Sequence, residues 1–179
     1  MAVWNLIENV VFGSDASSVT LDDGGSSIPS TYSNLYISFL AKTDRSHIRD
    51  GLKLTFNGDT GSNYAATYIY SSYFGANSYR SSGASSIGDI EIRGDTGYGV
   101  FGTGWIWIPN YASTVGYKPF TVRSGAGSSS STDHEWPQNI IGGQWRSTSA
   151  ITSVTLTVDN GPNIITGSSF TLWGVKNDA

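Results

Sequence analysis

Acid–base chemistry in this chain rests on fourteen carboxylates and two histidines, and only three of the carboxylates are glutamates: Glu8, Glu91 and Glu135. A pair of carboxylates held across a cleft at the right separation is the machinery of glycoside hydrolysis. Glu91 stands between Ile90 and Ile92, so in an extended segment it points away from the face those two share. The aspartates gather in polar, glycine-containing stretches, where solvated or turn-forming acids are the ordinary reading. His47 and His134 both fall in polar segments among many serines, which defines no Ser/His/Asp arrangement. No Gly-x-Ser-x-Gly elbow occurs, and the strand-to-helix turn it requires has no counterpart here. Cysteine is absent, which removes thiolate nucleophiles, disulfides and thiolate metal sites. The expectation is a protein that is not an enzyme and carries no cofactor.

Other chemistry-bearing patterns are equally thin. Asn57, Asp59 and Asn63 could offer oxygen ligands to Ca²⁺, but their spacing is not that of an EF-hand loop, and the same residue types form turns. Asp22-Asp23 invites the same reading, so no metal is expected. Gly97-Tyr98-Gly99-Val100-Phe101-Gly102 spells a G-x-G-x-x-G, yet no helix follows whose N-terminus could receive a phosphate.

What remains is aromatic. Six Trp and ten Tyr are many for 179 residues, while only 13% of residues are charged and Gly alone numbers 22. A neutral polar surface with exposed rings suits sugars, or other protein surfaces, better than ionic ligands. Tyr73 and Tyr79, in a Ser/Gly/Asn stretch, and Trp136, between Glu135 and Pro137, are the candidate contact residues for a ligand or partner. Trp105, Trp107 and Trp173 lie in strand-like runs and are expected in the core or at a subunit interface. The net charge of −4 gives no basic field for nucleic acid. No apolar stretch approaches membrane-spanning length, and Met1-Ala2-Val3-Trp4-Asn5 lacks the basic start of a signal peptide.

The elements that must position these residues are strands. Period-two alternation runs through the chain and helical periodicity does not. Expected strands cover Trp4 to Phe12, a short run to Leu21, and Tyr32 to Lys42 with Leu35, Ile37, Phe39 and Ala41 on one face. Leu40 interrupts the polar face and is expected to meet a partner or a second layer. Leu52-Leu54-Phe56 and Tyr64-Ala66-Tyr68-Tyr70 read as a hairpin joined by Asn57 to Asn63, a loop long enough to need hydrogen bonds of its own. Further strands cover Ile87 to Ile92, Trp105 to Ile108 and Lys118 to Arg123, with Ile140-Ile141 leading to the end. Residues 71–86 and 124–136 read as long exposed Ser/Gly-rich loops. Val154-Leu156-Val158 and Phe170-Leu172 read as a closing hairpin whose apolar residues hold the core. The sum is one all-β domain over 1–179, an antiparallel β-sandwich of jelly-roll type with about eight to ten strands.

Three ordered blocks resemble the structural proteins of tailed-phage virions. They are Leu52-Lys53-Leu54-Thr55-Phe56-Asn57-Gly58-Asp59-Thr60-Gly61-Ser62-Asn63-Tyr64; Trp107-Ile108-Pro109-Asn110-Tyr111-Ala112; and Gly143-Gln144-Trp145-Arg146-Ser147-Thr148 with Ile151 to Leu156 and Gly167 to Val175. The resemblance implies a jelly-roll-like sandwich built into a phage particle, with no catalytic residues to carry across. Such modules serve as capsid decoration (cement) proteins, as head fibres, and as receptor-binding tips of the tail or baseplate. A decoration protein on the outer capsid surface is the expectation, with the major capsid protein and copies of itself, by analogy a homotrimer, as partners. The alternative is a tail-borne module that recognises cell-surface polysaccharide through Tyr73, Tyr79 and Trp136.

Overall fold

The computed structural model describes residues 1–72, 75–94, 99–127 and 137–177. These form twelve strands: β1 (Ala2–Val11), β2 (Ser18–Leu21), β3 (Asn34–Ala41), β4 (Arg49–Phe56), β5 (Tyr64–Ser72), β6 (Gly75–Ala84), β7 (Ile87–Arg93), β8 (Gly102–Pro109), β9 (Lys118–Ala126), β10 (Gln138–Trp145), β11 (Val154–Val158) and β12 (Ser169–Asn177). They build two antiparallel sheets, one of eight strands in the order β1-β12-β3-β8-β9-β10-β5-β6 and one of four in the order β2-β11-β4-β7. The protein is thus an all-β sandwich, compatible with a jelly roll.

Alternation explains which face each strand buries. Leu35, Ile37, Phe39 and Ala41 of β3 are all buried, as are Ile106 and Ile108 of β8, Phe120 and Val122 of β9, and Phe170 and Leu172 of β12. They meet Leu21, Leu52, Leu54, Phe56, Val154 and Leu156 of the small sheet. Val158 is only partly buried, at the end of its strand. In β7 both Ile87 and Ile90 reach the core despite their odd spacing. A bulge between them puts Asp89 in the left-handed region (φ 54°) and turns the strand by one residue. Two glycines let rings pack directly against the backbone on the inside of the large sheet. A Cβ on Gly104 would stand 2.4 Å from the Phe39 ring, and one on Gly143 would stand 2.5 Å from that of Phe120.

Three expectations change. The run from Leu52 to Tyr70 is not a hairpin: β4 pairs with β11 and β7, whereas β5 pairs with β10 and β6. The closing segment is not one either, since β11 lies in the small sheet between β2 and β4, and β12 lies in the large one between β1 and β3. Both connections cross from one layer to the other. Residues 71–86, read as an excursion, contain β6, an exposed strand at one edge of the large sheet. Its ten residues carry no alternating apolar set because almost none of it is covered.

Candidate functional site

Among the described residues, two buried acids, Glu91 and Asp50, sit in hydrogen-bond networks of the protein's own donors. Arg49 donates to both oxygens of Glu91, from Nε at 2.9 Å and from Nη2 at 3.0 Å. Glu91 does point away from the inner-face isoleucines, but it is almost fully buried rather than solvated. Asp50 is buried too, and its carboxylate accepts hydrogen bonds from Thr43, Gly51, Asn160 and Gly161. His47 lies exposed nearby, its Nδ1 accepting from the Arg49 N–H at 3.2 Å. Together with Arg45, Asp89 and Asp159 these line a shallow pocket of about 170 Å³. Its carboxylates face donors of the protein itself, so what the geometry does is tie loops to strands. His134 and Glu135 lie outside the described residues.

The Asn57–Asn63 connection is an internally bonded link between the sheets. Asn57 takes the left-handed conformation (φ 53°), accepts from the Thr152 and Ser153 N–H groups, and donates to the Ala150 carbonyl. Asp59 accepts from Trp145 Nε1 at 2.6 Å, Asn63 Nδ2 at 2.9 Å and the Gly61 N–H at 2.8 Å. Tyr64 accepts from the Phe56 N–H and donates to the Asp59 carbonyl, both at 2.9 Å, and burial pushes its phenol up to about 12. The side-chain oxygens of Asn57 and Asp59 thus accept from donors of the protein itself, as turn formation requires. Among the described residues no group of three or more His, Cys, Asp or Glu is placed to hold a metal ion.

The Trp145 hydrogen bond, followed by those from Asn63 and Gly61, holds the Asp59 carboxyl below its ordinary 3.8. A carboxylate depressed in the folded state contributes stability above its unfolded pKa and loses it as pH falls through the folded one. Asp59→Asn is therefore expected to destabilise the protein at neutral pH. The gap to wild type should narrow on acidification below about pH 4. Urea melts of both proteins across pH would check it, and a gap constant from neutral to about pH 2 would refute the assignment.

Of the three candidate contact residues, Tyr73 and Trp136 lie outside the described residues. Tyr79 stands on β6 and faces inward, 40% exposed. Its ring stacks on Tyr68 with centroids 4.3 Å apart and planes 3° apart, and meets Tyr70 edge-on at 6.1 Å. Its hydroxyl donates to Asp89 Oδ2, which joins β6 to β7. Partial burial first, and the Asp89 carboxylate second, raise the phenol well above its usual range. One face of the Tyr79 ring is therefore already covered by the protein.

The rings expected in the core or at an interface, Trp105, Trp107 and Trp173, lie outside the core of the sandwich. Ile106 and Ile108 occupy the inner face of β8, so Trp105 and Trp107 must stand on the outer face of the large sheet. Cross-strand pairing extends that face into two rows. One runs from Leu6 through Trp173, Tyr36, Trp107, Thr121, Gly142 and Thr67 to Arg80. The other runs from Thr171 through Ser38, Trp105, Arg123, Ile140 and Ile69 to Ser78. Trp173, Tyr36, Trp105 and Trp107 are half-buried, while Ile69 and Ile140 are exposed. Trp4 meets Tyr36 edge-on at 5.2 Å and Trp107 at 6.5 Å, and Tyr36 and Trp105 stack at 6.3 Å with planes 26° apart. Leu40, also outward, is 43% exposed.

Two open grooves cross this face. One, of about 550 Å³, is lined by Tyr36, Ser38, Thr103, Trp105, Arg123 and Gln138 among others. The second, of about 640 Å³, runs past Thr67, Arg80, Ser82, Gln144 and Arg146. The first groove draws on β3, β8, β9 and β10. Its one sequence signal was the Trp-Ile-Trp-Ile alternation, which puts the tryptophans opposite an isoleucine core. No protein-family model matches the chain, and no curated protein is significantly similar to it.

Proposed function

We propose that the protein is a non-catalytic structural component of a tailed-phage particle, a decoration protein that sits on the outer capsid shell as a homo-oligomer, by analogy a trimer. The three blocks resembling virion proteins support the setting. The observation that carries the docking mode is the edge strand β1. Among the described residues it pairs only with β12, leaving its other side open for strand addition. Natural edges are blunted with Lys or Pro, and β1 has neither. It presents Trp4 at 48%, Leu6 at 55% and Val11 at 61% exposure. Its one charge, Glu8, is turned aside to accept the Asp22 and Asp23 N–H groups. The low overall charge suits a contact made by backbone pairing and apolar burial.

Purified protein is expected to co-sediment at a defined copy number with capsids of the phage that encodes it, and to raise their resistance to heat. Replacing two of the three exposed anchors with Lys (Trp4→Lys, Leu6→Lys) should abolish co-sedimentation while the protein still melts cooperatively. Wild-type protein that leaves capsids bare would defeat the proposal. Label found on the tail instead would transfer the protein to a receptor-binding role.

A further inference from the structure

We infer that the outer face of the eight-stranded sheet binds an acidic polysaccharide, its sugar rings lying against Tyr36 and Trp105 and its anionic groups meeting Arg123. The site goes beyond the docking of β1, with Trp4 shared between them as anchor there and as brace of Tyr36 here.

The first argument is shape and rigidity. Tyr36 and Trp105 are near-parallel, and Trp4 braces Tyr36 edge-on. A platform held by neighbouring rings loses little freedom when a ligand lands on it. Pyranose rings offer flat C–H faces to such surfaces and hydroxyls at their rims. The groove supplies Ser38, Thr103 and Gln138 at its margins, and it is open along the sheet rather than closed as a small-molecule pocket would be.

The second argument is charge. The chain carries −4 overall, yet among the described residues the two outward rows hold Arg123 and Arg80 and no Asp or Glu. Arg146 flanks the neighbouring groove, its Nη2 donating to Ser82. The carboxylates whose partners are described cluster about the small sheet and its loops, with Arg45, Arg49 and Lys53. Arg123 is exposed and, among the described residues, makes no ion pair. A guanidinium beside a Trp, free of a carboxylate of its own, presents a planar fork to a carboxylate or sulfate on the ligand. A nucleic acid would also stack on these rings, but a strand needs a continuous basic track along its phosphates, and among the described residues Arg123, Arg80 and Arg146 stand apart on this face.

The test is titration of intrinsic tryptophan fluorescence with polygalacturonate, polysialic acid and sulfated dextran, alongside neutral dextran and poly(dT). Wild type is expected to bind at least one acidic polysaccharide, more weakly as salt rises, and to bind neutral dextran at least tenfold less well. Trp105→Ala and Arg123→Glu should each lower that affinity about tenfold or more, with Arg123→Lys in between. Arg123 is exposed, so its variants test the site even if Trp105→Ala fails to fold. Binding to none of the three acidic polymers, equal binding to poly(dT), or full affinity in Arg123→Glu would each overturn the assignment.

Discussion

Leu156→Asp should leave no cooperatively folded protein. Leu156 is the central residue of β11, paired with Val19 of β2 on one side and Leu54 of β4 on the other, and it is fully buried. Its side chain projects between the layers, where its neighbours are apolar. The substitution forfeits the burial of a leucine, about 2–3 kcal/mol. It also places a carboxylate where no donor is at hand, at a cost of several kcal/mol even after relaxation. Against a total stability of roughly 5–15 kcal/mol, the sum removes most or all of the folded population. Thr157→Asp is the control. Thr157 alternates to the outer face of the same strand and pairs with Lys53, so its variant should stay within about 1 kcal/mol of wild type. Near-ultraviolet circular dichroism and urea melts would read both. A Leu156→Asp protein with a wild-type transition would mean that the register of β11 is wrong.

That register was legible in the chain because alternation reports which side of a strand is buried. Leu35, Ile37, Phe39, Ala41, Leu52, Leu54, Phe56, Val154, Leu156, Phe170 and Leu172 all sit where period two puts them. Alternation says nothing about which strand lies alongside. The Leu52–Tyr70 and Val154–Leu172 segments have the pattern of hairpins, but their connections are long enough to cross the roughly 10 Å between packed sheets. Once they cross, successive strands bury their apolar faces against each other instead of pairing edge to edge. An uncovered strand is harder still to read. β6 keeps its place through its ladder to β5 and through Tyr79 on Tyr68, and neither leaves a hydrophobic period. Beyond the Trp-Ile-Trp-Ile alternation, the groove was hidden for the same reason as the pairings. Tyr36, Trp105, Arg123 and Gln138 come together only through the strand order β3-β8-β9-β10, which no local pattern encodes.

Asp50→Ala is expected to cost about 3–5 kcal/mol, lowering the melting temperature by roughly 10 °C or more. Oδ2 accepts from Thr43 Oγ1 at 2.7 Å and from the Gly161 N–H at 2.9 Å. Oδ1 accepts from the Gly51 N–H at 2.8 Å and the Asn160 N–H at 3.2 Å. One carboxylate thereby joins the segment after β3, the strand β4 and the turn after β11. The turn comes so close that a Cβ on Gly161 would stand 2.8 Å from Oδ2. Truncation leaves buried N–H groups without acceptors, each a loss of about 1–3 kcal/mol that neighbouring losses partly share. Arg45 adds little, since its Nη1 is 3.8 Å away and a third of its side chain is exposed. Asp50→Asn separates the hydrogen bonds from mere packing. Both oxygens face backbone N–H groups, so either orientation of the amide sets its NH₂ against a donor. The Asn variant should therefore lose nearly as much as Ala despite its matching shape. Were Asp50→Asn to melt within about 0.5 kcal/mol of wild type, the carboxylate would be a space-filler and the knot of donors around it incidental.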